Sequence, residues 1–290
     1  MNKFTLYFYG IIILIFIFVL IATCDKLNNS WIETFQNNGN LNYTIVMFMT
    51  GGICDEAHNC IKTLQKINLQ DKVKVYTLDK EADKCIQNLN IKTKFNDVKL
   101  DLSSNFGEKE FYKMMYEKLN AIEDCLKITN NIVVYTDTDI VFFKSIEPDI
   151  SKFSNSNYDI MFQCDNSYFN TNCKVFCSGF MFLKPTQNTF NCLKRAKEIM
   201  KRDMDNKQAR TEKGGADQRA LNFAIEELSI NVGTLDLKDY ANGARYFKSK
   251  DVNSAINDVY KSYTPIILHN NYIPGSKKKQ RFKNNDLWYI

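Results

Sequence analysis

The chain has 290 residues, 44% of them hydrophobic and 24% charged, with a formal net charge of +5. That is enough apolar material for a substantial core in one large domain or two small ones. The positive excess is spread along the sequence except at Lys277-Lys278-Lys279 with Arg281 and Lys283, a patch too local for a general nucleic-acid binder and, from charge alone, better read as a solvated tail.

From Phe4 to Cys24 there is no charged residue, and the run is long enough to span a bilayer. Residues 1–24 are therefore expected to form a short tail and a transmembrane signal-anchor, with a cleavable signal peptide ending near Ala22-Thr23-Cys24 as the alternative. Both place the remainder across a membrane, as a type II protein facing the Golgi or ER lumen or as a secreted one. Residues 25–42 are Asn-rich and read as a stalk. The sequons Asn28-Asn29-Ser30 and Asn42-Tyr43-Thr44 agree with a lumenal location.

Residues 43–290 are the expected folded part. Tyr43 to Met49 reads as a strand, followed by Thr50-Gly51-Gly52 and a helix from about Asp55 to Ile67; Val73 to Leu78 is a second strand, ending in Asp79. Strand, glycine turn, helix, strand is the opening of a nucleotide-binding parallel sheet. Gly51-Gly52 is not a dinucleotide fingerprint and no G-x-x-x-x-G-K-[ST] loop occurs, which disfavours NAD and P-loop NTPase classes. An amphipathic helix is predicted from about Lys109 to Ile128. Within it Lys118 is a rim residue or a partner for phosphate or carboxylate; the pattern alone favours the rim.

Ile132-Val133-Val134-Tyr135 is an unalternating apolar run, the mark of a buried strand. It ends in Asp137-Thr138-Asp139. Alternate residues of an extended chain share a face, so both carboxylates point one way and repel unless water or a divalent cation intervenes; hard oxygen ligands suit Mg²⁺ or Mn²⁺. A solvated turn after the strand is the plain alternative.

Beyond it come a strand from Tyr158 to Gln163, a loop with Cys164, Asp165 and Cys173, and a strand from Val175 to Leu183. Gly179 inside that strand requires a bulge or a close approach, by a ligand or by neighbouring packing. A helix follows from about Gln187 to Met204, and Gly214-Gly215-Ala216-Asp217-Gln218 opens another, with Asp217 placed for the helix dipole. Asn231 to Leu235 and Thr264 to His269 are strands, and His269 at a strand end is a packing residue or a ligand.

Nine cysteines are many. Setting aside Cys24, eight remain, which permits disulfides in an oxidising lumen with unreadable connectivity, or buried free thiols. A zinc site at Cys173-x-x-x-Cys177 is disfavoured, because the chain has two histidines and neither is near.

In this order, Asp137-Thr138-Asp139, Cys177-Ser178-Gly179-Phe180, Gly215-Ala216-Asp217-Gln218 with Asn222, His269-Asn270-Asn271 and Gly275 with Lys279 ahead of Trp288 resemble the nucleotide-diphospho-sugar transferases of the GT-A fold. The pattern is similar to glycosyltransferase family 77, which includes plant pectin xylosyltransferases and cell-wall arabinosyl- and galactosyltransferases. The resemblance covers roughly Tyr43 to Trp288. It implies an α/β, GT-A-like domain with a mixed, mostly parallel sheet flanked by helices. It also implies a UDP-sugar donor, a Mn²⁺ (or Mg²⁺) ion, a glycan or glycoprotein acceptor and a retaining reaction moving a xylose-, galactose- or arabinose-type sugar.

Residue by residue, it implies that Thr50, Gly51 and Asp79 face the nucleotide and that Lys118 is a basic site position. Asp137 and Asp139 would bind the metal with His269 completing the shell, and Asp137 would also face the diphosphate. Ser178 and Gly179 would lie beside the donor sugar, with Cys177 where the family has Asn. Asp217 and Gln218 would lie at the anomeric carbon, and Gly275 and Lys279 at the phosphates. Two alternatives stand beside this: a haloacid-dehalogenase-type phosphatase with Asp137 as nucleophile, although the later acidic pair of that class is missing, and an inactive glycan-binding membrane protein.

Overall fold

Strands that read as unbroken apolar runs are those a sheet buries on both faces, and β1 (Tyr43–Met49) and β4 (Ile132–Thr136) are buried almost throughout. The computed structural model describes residues 41–96, 109–165, 173, 175–205, 216–249 and 259–290. The expected anchor, nearly all of the stalk with its first sequon, and Gly214-Gly215 lie outside the described residues. Among the described residues no helix is long and apolar enough to cross a membrane.

After β1 come α1 (Cys54–Lys66), β2 (Val73–Thr77), α2 (Lys80–Ile86) and β3 (Lys92–Phe95). The helix α3 (Lys109–Thr129) leads into β4, which is followed by β5 (Ile140–Phe142), α4 (Glu147–Ser154), β6 (Ile160–Cys164) and β7 (Phe176–Leu183). Then come α5 (Gln187–Asp205), α6 (Ala216–Leu228), β8 (Val232–Thr234), β9 (Tyr240–Asn242), α7 (Gly243–Ser249), α8 (Val259–Ser262), β10 (Ile267–His269) and α9 (Gly275–Lys283).

Seven strands form one sheet in the order β3-β2-β1-β4-β7-β6-β8. Pairings β3–β2, β2–β1, β1–β4 and β6–β8 are parallel, while β7 runs antiparallel to both β4 and β6. The α/β expectation with a mixed, mostly parallel sheet therefore holds. A second sheet of order β5-β10-β9 is absent from the sequence-based reading. Its strands are three residues each, too short to show a period. The strand predicted from Thr264 begins only at Ile267, beyond Pro265, which has no N–H to give a ladder. β3 and α9 are further elements beyond the predicted ones: β3 is a polar edge strand, and α9 forms from a basic stretch with no apolar period.

The predicted apolar stripe on α3 is realised. Leu119, Ile122, Cys125 and Leu126 are buried with residues of α5 and α6 in one cluster over the sheet. A smaller cluster of Val141, Ala241, Tyr246, Tyr260, Leu268, Phe282 and Leu287 gathers about the second sheet. Of the eight cysteines, Cys54–Cys85 and Cys164–Cys173 are disulfides, and Cys60, Cys125, Cys177 and Cys192 are buried thiols. Both open alternatives are thus realised. The pairing of Cys173 with Cys164 excludes the zinc reading.

Phe182 of β7 packs its ring 5.7 Å from Phe180, 5.9 Å from Phe153 and 6.1 Å from Tyr240, centroid to centroid. Replacing it by alanine leaves a cavity among rigid aromatics. Phe182→Ala is expected to lower stability by about 3–5 kcal/mol, read as a shifted urea midpoint with an unchanged slope.

Candidate active site

The sheet delivers Asp137 to its edge. Beyond Thr136 the Asp137 backbone N–H still donates to the Gly179 carbonyl at 2.8 Å, after which the chain turns into β5. Antiparallel pairing of β5 with β10 sets Ile140 opposite His269, and the Asn270 N–H donates to the Asp139 carbonyl at 2.9 Å. One ligand atom each from Asp137, Asp139 and His269 then lie within 4.8 Å of one another. His269 Nε2 is 3.4 Å from Asp139 Oδ1 and 3.8 Å from Asp137 Oδ2.

The glycine in β7 is explained here. A Cβ at Gly179 would stand 2.6 Å from Asp137 Oδ2 and closer still to His269 Cε1. Only a residue without a side chain leaves room for this cluster. The bulge expected there is also present: Phe162 pairs with Met181 but Gln163 with Cys177.

Gln163, which sequence reasoning passed over, orients the histidine. Its Nε2 donates to the Tyr240 and Ala241 carbonyls at 3.2 and 3.0 Å. That fixes the amide so that Oε1 accepts from His269 Nδ1 at 2.8 Å. With Nδ1 engaged by Gln163, Nε2 is the ring nitrogen left to face the two acids, the orientation a metal-binding imidazole requires. A lone buried glutamine in an apolar strand was the available signal. Cys177 Sγ lies 3.6 Å from the same Nδ1, so in place of the family's Asn it packs behind the histidine.

Three basic groups balance the acids. Burial opposes charge on His269, but Asp139 and Cys177 hold its pKa well above the usual histidine value. Burial likewise raises Asp139, yet Lys278 and His269 outweigh it and keep this carboxyl far below the carboxylate range. Lys278 Nζ stands 2.9 Å from Asp139 Oδ2.

The third basic group is Lys118. It is not a rim residue: at 2% exposure its Nζ lies 2.9 Å from Asp217 Oδ2, 3.3 Å from Asp137 Oδ1 and 3.5 Å from Ser178 Oγ. Burial favours its neutral form, but Asp137 and Asp217 reverse this and raise its pKa. The hydrophobic stripe hid this because a lysine stem packs like an apolar chain until its head meets a partner. Tyr135 adds a hydroxyl donated to Asp137 Oδ1 at 2.7 Å.

The other expected site residues divide. Ser178 accepts Lys118 through its hydroxyl, and its backbone N–H donates to Gln218 Oε1 at 3.3 Å, so Ser178, Asp217 and Gln218 adjoin the cluster. Thr50 and Gly51 follow β1, and Asp79 follows β2, on the same carboxyl edge as Asp137 because the three strands are parallel neighbours. Asp79 caps α2 through Ala82 N at 2.7 Å and accepts the Gly51 N–H at 2.9 Å. Gly51 is small because Glu81 packs against it. Lys279 is on the surface, paired with Asp55 and with Nζ 5.4 Å from the Trp288 ring centroid. Its neighbour Lys278 is the lysine that meets Asp139. The helix α9 makes the difference, since successive residues on a helix point about a hundred degrees apart. Gly275 opens α9, and an added Cβ there would meet nothing within 4 Å.

Two carboxylates and an oriented imidazole with converging lone pairs suit a divalent cation, and the space kept by Gly179 fits such a group. With Lys278 and Lys118 alongside, the site can hold polyanionic ligand groups at the carboxyl edge of the sheet.

The family model for nucleotide-diphospho-sugar transferases matches residues 68–282. Among solved structures, the glycosyltransferase GlyE of Streptococcus pneumoniae TIGR4 is 14% identical with a TM-score of 0.54, the match covering 86% of this chain and 66% of that one. The galactosyltransferase LgtC, solved with donor and acceptor sugar analogues, is 12% identical with a TM-score of 0.52, over 85% of this chain and 97% of that one. At these identities the likeness is one of fold. No curated protein matches the chain.

Losing the partner that orients a metal-binding histidine typically costs about 10–100-fold in metal affinity. Gln163→Leu is expected to weaken Mn²⁺ binding by that range, measured by calorimetric titration of the purified protein. Asp139 and Cys177 hold the His269 pKa above its usual value, so a cation that takes Nε2 displaces a proton, and Mn²⁺ uptake near neutral pH should release about one proton. The affinity should therefore fall as the pH is lowered. Titrations in buffers of different ionisation heat report the proton count.

Proposed function

The chain belongs to the nucleotide-diphospho-sugar transferases, and within them we propose that it is a divalent-metal-dependent, retaining glycosyltransferase. It moves a xylose-, galactose- or arabinose-type sugar from a UDP-sugar to a glycan or glycoprotein. The observation that carries this reading is the convergence of Asp137, Asp139 and His269 with Lys278 at the carboxyl edge of the sheet.

Transfer leaves new negative charge on the departing diphosphate, and stabilising that charge is the main task of the site. A Mn²⁺ ion (or Mg²⁺) held by Asp137, Asp139 and His269 would supply Lewis-acid stabilisation of the leaving group. Lys278 contributes a fixed positive charge beside it and takes the phosphate-contacting role that Lys279 was expected to have. Asp217 is neutralised by Lys118, so it suits electrostatic support of an oxocarbenium-like centre better than covalent attack. Gln218, held beside Ser178, presents a carbonyl oxygen to the same region. Departure of the phosphate on the face the acceptor attacks would preserve the anomeric configuration without a covalent enzyme intermediate.

The phosphatase alternative fails on family membership and on Asp137 itself. Its carboxylate is tied to Tyr135 and Lys118 and shares a ligand cluster with His269. The two disulfides and the exposed Asn42 of the second sequon support a lumenal location, on a type II anchor formed by residues 1–24, since the cytosol keeps thiols reduced.

The test is a donor panel of UDP-xylose, UDP-galactose, UDP-glucose, UDP-arabinose and GDP-sugars with the full-length protein in detergent and Mn²⁺, read as released nucleotide. Asp139→Ala should reduce turnover on the order of 10²–10³-fold. Undiminished turnover in that variant or in excess chelator would remove the metal-dependent reading. Nucleotide-sugar binding without any turnover would favour the inactive glycan-binding protein. Lys278→Ala should cost at least about tenfold in kcat/KM, whereas Lys279→Ala should change it less than about threefold, because an exposed ion pair contributes little.

A further inference from the structure

Asp165, at the end of β6, is held from four directions. Its N–H donates to the Val175 carbonyl at 2.9 Å, and its carbonyl accepts the Tyr272 hydroxyl at 2.5 Å. Its Oδ2 accepts Gln218 Nε2 at 2.8 Å, and its Oδ1 accepts Asn271 Nδ2 at 3.4 Å. The preceding residue, Cys164, is cross-linked to Cys173. Tyr272, which reaches back to it, sits at a φ of 59°, a left-handed conformation that costs a tyrosine energy and persists only where surrounding contacts enforce it.

These contacts join two parts of the site that are distant in sequence. Gln218 belongs to α6 with Asp217, and Asn271 follows His269 by two residues. A carboxylate is only an acceptor, so Asp165 can face Gln218 only through the amide NH₂. Oε1 is thereby turned toward the Ser178 N–H, 3.3 Å away, one residue from the glycine that borders Asp137 and His269. For a sugar centre gaining positive charge the carbonyl oxygen is the useful end of the amide and the NH₂ the harmful one.

We infer that Asp165 is a positioning residue of the transferase. It locks Gln218 in the flip that presents Oε1 to the donor sugar, and it ties α6 to the segment carrying His269. The inference rests on the transferase reading above. Burial raises the Asp165 pKa, and the hydrogen bond from Gln218 opposes that rise.

The experiment is a double-mutant cycle in the full-length protein with Asp165→Ala, Gln218→Ala and the pair, read both as steady-state kinetics on the best donor and as urea midpoints. Asp165→Ala should lower kcat roughly 10–100-fold, the scale of a misplaced reacting group, with donor KM and Mn²⁺ affinity changed less than about threefold. The double variant should be no slower than the slower single one. Asp165→Asn, which keeps an acceptor oxygen for Gln218, should recover part of the loss. Multiplicative losses in kcat, or an Asp165→Ala effect confined to KM, would overturn the inference. The urea midpoints should shift less than additively, and additive shifts would overturn it even without turnover. Absence of turnover by the wild-type protein on every donor would instead count against the proposed substrate class, leaving the denaturation cycle to decide the contact.

Discussion

Neutralisation of clustered acids is the constraint around which this site is built. Asp139 and Asp217 are buried beside the partly exposed Asp137, and a buried charge without a partner is costly. Lys118, Lys278 and His269 meet them within 2.9–3.8 Å. These groups come from β4 and its following turn, α3, α6, β10 and α9. The charge balance therefore closes only when all those elements are docked, and breaking one member would strand a buried charge, which is costly.

The backbone geometry follows from the same requirement. Pairing of β5 with β10 puts His269 across from Ile140, and the bulge in β7 lets Gly179 pass beside Asp137 without a side chain. Gln163, on the facing strand, is anchored to β9 carbonyls and turns the imidazole. Ligand directions are thus fixed by the rigid sheets rather than by mobile loops, which keeps them in place before any ligand arrives. Asp165 accepts from both Gln218 and Asn271, so the start of α6 and the segment that follows His269 share one hydrogen-bonded frame.

Much of this was legible in the chain. The apolar run into Asp137-Thr138-Asp139, the glycine in β7 and the strand-end His269 each announced a constraint, and their order pointed to a family. The strong periodic elements, β1, β4, α3 and α5, came within a residue or two of expectation. Lys118 misled because its stem satisfies an apolar pattern while its head is buried between acids. Which lysine of the basic run lies beside Asp139 was not legible, because neighbouring lysines are indistinguishable until the helix direction is known. The pairing of Cys164 with Cys173 decided a question that counting cysteines left open.

The amino-acid sequence by itself determined the α/β class, the strand that presents the two aspartates and the chemical type of the site, because those depend on local pattern and on which residue types are present. Tertiary structure alone decided that Lys278 and not Lys279 stands at Asp139, that Gln163 meets His269 Nδ1, and that Asp165 accepts from Gln218. Each of these is a contact between residues far apart in the chain or a choice of direction on a helix. Such facts arise from packing, and no local pattern encodes them.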